Sequence, residues 1–140
     1  MKYLLDSCVI SELVNGESDS HIQRWLVNRK SSEIFISAMT WAELERGVVR
    51  LKKSKRKSEL ELWLVRLEQS FEDRVLPYDK NVAKFWVQMV VDAEKKGKTI
   101  PAFDSIIAAT AKAHACSVVT RNARDFNNAG VDVINPWELN

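Results

Sequence analysis

Apolar residues occur along this chain in short runs, each closed by a polar residue or a turn signal. Lys2 to Leu5 ends at Asp6 and predicts a buried strand. Val9 to Val14 predicts a short helix, with a loop at Asn15-Gly16. Ser18 to Lys30 predicts a second helix with Ile22, Trp25 and Leu26 on one face, and Glu33 to Ser37 predicts a strand rich in β-formers. Trp41, Leu44, Val48 and Leu51 mark a helix over Met39 to Lys52, and Leu60, Trp63, Leu64 and Leu67 mark another. A short strand follows at Arg74 to Pro77. Asp79 then caps a long helix that Gly97 closes, with Val82, Phe85, Trp86, Met89, Val90 and Ala93 on its buried face. Phe103 to Ala115 predicts a helix apolar on nearly all sides, so a central one. Ser117 to Thr120 and Val131 to Ile134 predict the last strands. Strands alternating with helices from end to end predict an α/β fold, a central parallel sheet with helices on both faces. In such a sheet, ligands sit beyond the carboxyl ends of the strands.

Composition narrows the class. A chain of 140 residues, 46% hydrophobic and 29% charged, predicts one domain over 1–140 and excludes a disordered or collagen-like chain. No apolar run is long enough to span a membrane, and Asp6 interrupts the start in a way unlike a signal peptide. The two cysteines, Cys8 and Cys116, form no C-x-x-C pair and predict reduced thiols in a cytoplasmic protein.

The candidate chemistry is acidic. Asp6 directly follows the first strand, Glu43 sits early in the helix after the second, and Asp104 begins the central helix. Asp125 lies in the loop after the strand ending at Thr120, where Asn122 is an equal polar candidate. Glu45 competes with Glu43, while Asp79, Asp92 and Asp132 read as caps or surface residues. Each acid also has a plain reading as a turn or helix-start residue. Carboxylates crowded at one sheet edge repel unless protonated or neutralised by a cation. Oxygen donors in small number suit Mg²⁺ or Mn²⁺, which can activate water against a phosphodiester.

Four segments carry a family resemblance: Leu4 to Leu13, Ala42-Glu43-Leu44 with Gly47, Asp104 to Ala109, and Thr120-Arg121-Asn122 with Asp125-Phe126. In this order and spacing they resemble the PIN-domain family, within it the VapC toxins of toxin–antitoxin pairs and especially their FitB-like branch. The ending Val133 to Trp137 is similar too. The resemblance implies a three-layer α/β/α PIN-like domain and an Mg²⁺- or Mn²⁺-dependent endoribonuclease that leaves a 5′-phosphate. It implies Asp6 and Asp104 as main metal ligands and Glu43 as third acid, with Asn122 and Asp125 sharing the fourth place. It also implies a homodimer and a small VapB-like antitoxin that blocks the site. Where Asp-Thr-Asn is common in the family, this chain has Asp6-Ser7-Cys8. Ser7 keeps the hydroxyl, and Thr120 stands as its supporting partner at the strand end. Neither His21 nor His114 lies in a motif, which argues against a histidine-based ribonuclease mechanism.

Net charge is only +2, yet it is unevenly distributed. Arg46, Arg50, Lys52, Lys53, Lys55, Arg56 and Lys57 form a run with no acid between Arg50 and Lys57. It reads either as a solvated helix end or as a phosphate track for RNA, which Arg121 extends. Five Trp residues suggest core packing, with some apolar surface left for a dimer seam or an antitoxin helix. The competing function is a PIN-fold binding module acting in a DNA-binding complex without nuclease activity. A phospho-acceptor receiver domain fits poorly, because Thr120-Arg121-Asn122 follows the late strand where a lysine is needed.

Overall fold

The structure, a computed structural model, describes residues 1–15 and 20–138. The expected loop residue Gly16 and the expected helix start at Ser18 lie outside these. The described residues form a five-stranded sheet of β1 (Tyr3–Leu5), β2 (Ile34–Ser37), β3 (Val75–Leu76), β4 (Ser117–Val119) and β5 (Val133–Ile134), in the order β3-β2-β1-β4-β5. Every pairing is parallel; Tyr3 faces Ile34 on one side and Ser117 on the other.

The period-2 alternation of strands divides the core. Tyr3, Leu5, Ile34, Ile36 and Val119 point to one face. They pack there against α1 (Ser7–Asn15), α2 (His21–Val27), α3 (Ala38–Val49) and α4 (Lys55–Phe71), through Ile10, Trp25, Leu44 and Leu64. Leu4, Leu76 and Val118 point to the other face. They meet α5 (Lys80–Lys95) and α6 (Ala102–Ala113) through Val82, Met89 and Ile107. Helices thus cover both faces of a parallel sheet, giving the expected three-layer α/β/α fold. No helix among the described residues is long and apolar enough to cross a membrane.

Local chemistry sets the helix starts. The hydroxyls of Ser20, Ser37 and Ser54 accept the N–H groups of Gln23, Thr40 and Lys57, and the Asp79 carboxylate accepts that of Val82. Gly97, at φ +68°, ends α5 as expected, in a conformation where a side chain is strained. Two expectations fail in detail. Helix α3 stops at Val49 rather than Lys52, because the Lys57 ammonium donates to the carbonyls of Val49 (3.2 Å) and Leu51 (3.0 Å). Leu51 is left exposed, and so is Phe85, since Val82, Met89 and Ala93 define the buried stripe of α5.

Strand order places the site. Chain connection runs outward from β1 in both directions, to β2 and to β4, so the crevice at the carboxyl end of β1 is a switch point. Asp6 is the next residue.

Candidate active site

Asp6 is held more firmly than the other acids. Its backbone N–H extends the ladder to the Val119 carbonyl at 2.9 Å, and its own carbonyl accepts the first N–H groups of α1. Its side chain is 5% exposed. Oδ1 accepts the Ser7 N–H at 2.8 Å, and Oδ2 accepts the Thr120 hydroxyl at 2.8 Å. The Cys8 thiol lies 3.7 Å from Oδ2 and 3.5 Å from the Thr120 hydroxyl, and its sulfur accepts the Arg121 N–H at 3.5 Å. Asn122 contributes its backbone N–H to the Thr120 hydroxyl at 3.0 Å. Thus Ser7, Cys8 and Thr120 fix one carboxylate from two strand ends.

Glu43 and Asp104 reach the same crevice from α3 and α6. Glu43 is half-buried; burial, then Asp6, then Asp104 push its pKa from 4.5 to about 7. Its Oε1 is buried and has no hydrogen-bond partner among the described residues. Asp104, in the first turn of α6, is pushed from 3.8 to about 6 by burial, then Asp6, then Asp125. Asp125 thus acts on Asp104 by charge, from an exposed position on the 3₁₀ turn Ala123–Phe126. Asn122 takes part through its backbone, and its side chain is exposed with no capping bond. The start of α6 has no side-chain cap at Pro101. Instead the Ser105 hydroxyl donates to the Ala102 carbonyl (2.5 Å) and accepts the Trp86 indole N–H (2.9 Å), bracing the turn that carries Asp104.

Acids raised by one another, with one carboxylate oxygen buried and unpartnered, are the electrostatic signature of a pocket suited to a cation. Among the described residues, no three His, Cys, Asp or Glu side chains converge as a ready-made cage. Such a donor set fits a hard divalent ion that keeps much of its water and takes one or two carboxylates.

The predicted basic residues separate. Arg46 and Arg50, with Glu43 and Gly47, line a groove of about 480 Å³ between α1, α3 and α4. Its apolar lining includes Met39, Leu60 and Trp63. Lys52 and Lys53 lie exposed past the end of α3. Arg121 stacks its guanidinium over the Trp137 ring at 4.7 Å. Arg56 bonds Asn15, so part of the basic run ties elements together. His21 is exposed and His114 caps the end of α6. The roles of Cys8, Trp86 and Ser105 escaped the sequence reading. Cys8 was legible only as a departure from a motif, and Trp86 only as core.

A family model for the PIN domain matches residues 3–131. The chain belongs to the PIN domain family. It is 41% identical to Toxin FitB of Neisseria gonorrhoeae over 138 residues, covering 96% of this chain and 97% of that protein. It is 37% identical to a VapC ribonuclease of Sinorhizobium fredii, covering 96% and 97%. Among solved structures, FitAcB from Neisseria gonorrhoeae superposes with a TM-score of 0.91 at 39% identity, covering 98% of this PIN domain and 99% of that chain. FitAB bound to a DNA fragment gives the same TM-score at 37% identity, covering 99% and 97%.

Proposed function

We propose that this PIN domain is the endoribonuclease toxin of a toxin–antitoxin pair, cutting RNA phosphodiesters at the Asp6–Glu43–Asp104 pocket. The observation that carries this reading is the buried, unpartnered Glu43 oxygen facing a cluster that raises Glu43 to about 7. The ribonuclease and toxin names of relatives at 37% and 41% identity support it. Asp6, Asp104 and Glu43 would hold Mg²⁺ or Mn²⁺, which would supply neutralisation of phosphate charge and activation of water.

The chain's own residues do the rest. Ser7 and Thr120 orient the Asp6 oxygens, so Asp6 contributes a carboxylate fixed in position. Glu43 is the group able to hold a proton near neutrality. Arg46 on α3 and Arg50 at its C-cap follow Glu43 at i+3 and i+7 and meet RNA phosphates along the groove. The toxin works in the cytoplasm as a homodimer, and a VapB-like antitoxin lays an apolar segment in the groove to block access. The test is cleavage of RNA by the purified chain, with and without EDTA. Mg²⁺-dependent cleavage lost in Asp104→Asn supports the reading, and cleavage undiminished in EDTA refutes it.

A relative caught in complex on DNA favours a second reading, a module that serves a DNA-binding assembly. Absence of any metal-dependent cleavage by the free chain, with DNA binding only alongside its partner, decides for that alternative.

A further inference from the structure

Far along α6 from the acids, a separate cavity of about 240 Å³ is lined by Lys96, Lys98 and Lys112, with Asn127, Asn128 and Gly130. Lys112 is half-buried, and its ammonium has one long contact, to the Ala129 carbonyl at 3.4 Å. Gly130, at φ +65°, leaves that ammonium room: a Cβ there stands 3.4 Å from it. Among the described residues no carboxylate lies within ion-pair distance of any of the three lysines. The single acid in the lining, Asp92, already accepts the Gln88 amide at 3.0 Å. Asn128 donates its side-chain amide to the Thr99 carbonyl at 3.2 Å, which ties this wall of the cavity to the segment after α5.

Three lysines, one of them half-buried, line a cavity of mixed polar and apolar walls that also includes Met89, Ala93 and one acid, and together they can take an oxyanion. Its place in the fold indicates which. From Asp104 to Lys112, α6 rises about 12 Å. Asn127 and Asn128 directly follow the turn carrying Asp125, whose charge reaches Asp104. We propose that this lysine-lined cavity binds the phosphodiester backbone of the RNA held at the acids, as a second contact apart from the Arg46–Arg50 groove. The site rests on the ribonuclease reading and extends it: the substrate is a strand long enough to touch both places. Short strands engage the acids alone.

The test uses binding by the full chain in the Asp6→Asn background, with RNAs of roughly 20 and roughly 5 nucleotides. Combining Lys96→Gln, Lys98→Gln and Lys112→Gln is expected to weaken the longer RNA about tenfold and lower its salt slope by about 2. The shorter RNA loses less than about twofold. Because Lys112 also braces Ala129, the double variant of the exposed Lys96 and Lys98 repeats the measurement, with an expected slope loss of about 1. An unchanged slope and affinity in both variants overturn the site. So does an equal loss in a charge-matched control at Lys30, Arg66 and Lys80. Absence of RNA binding by the parent overturns this site and the ribonuclease reading together, which separates the two failures.

Discussion

Asp6 and the pair Glu43–Asp104 share one crevice but are built on opposite principles. Asp6 is buried, and both its oxygens are met by donors from its own chain. Glu43 has a buried oxygen that no described residue meets, and both Glu43 and Asp104 are raised by burial and then by their neighbours. Folding satisfies the first carboxylate and leaves a Glu43 oxygen without a partner among the described residues. The site thus combines a fixed carboxylate with two acids whose pKa values are raised, first by burial and then by neighbouring charge.

Removing the reference point has the largest expected effect. Asp6→Asn lowers RNA cleavage by more than about 100-fold, beyond what loss of a supporting partner produces. Circular dichroism checks that the fold persists. Thr120→Val leaves Asp6 its charge and removes one donor. Cleavage then falls about 10–100-fold, and stability falls by about 1–3 kcal/mol as a buried carboxylate loses a partner; Thr120→Ser restores both. A denaturant melt beside a cleavage assay checks this pair.

The ligand-dependent half responds in the reverse sense. Glu43→Gln removes repulsion in the metal-free protein, so activity drops while Tm at pH 8 rises by about 2 °C, the gain being limited by solvent screening. A Tm that falls would make Glu43 a structural residue. The smallest effect is a pH trend. Glu43 and Asp104 carry folded pKa values of about 7 and about 6, above their ordinary 4.5 and 3.8. Between those limits the folded state binds more protons than the unfolded state. Their contribution is complete at the acidic end and is lost as pH climbs through 6 and 7. In EDTA, Tm declines over that range, and Mg²⁺ flattens the decline. Identical curves with and without Mg²⁺ contradict metal binding at these acids.

Much of this was legible in the sequence. Asp6 directly follows an apolar run, so its place at a strand end follows from alternation alone; Asp104 opens a helix with few other charges, but α5 stands between that helix and β3, so the fold had to bring it to the crevice. Helix ends were less legible, because Lys57 decides where α3 stops by a contact from the next helix. Phe85 was misplaced because periodicity does not distinguish a stripe edge from its centre; at 38% exposure it lies on the edge. Between Asn122 and Asp125, sequence left a tie. The structure has Asp125 acting on Asp104 by charge, while Asn122 serves through a backbone N–H. The bracing of Ser105 by Trp86 spans 19 residues and two helices, a pairing no local pattern encodes.

The bond from Thr120 to Asp6 joins residues 114 apart. A ribosome adding 5–20 residues per second needs roughly ten seconds to travel that stretch. Throughout that interval the nascent chain carries its first acid without the hydroxyl that orients it, and without β4 beside β1.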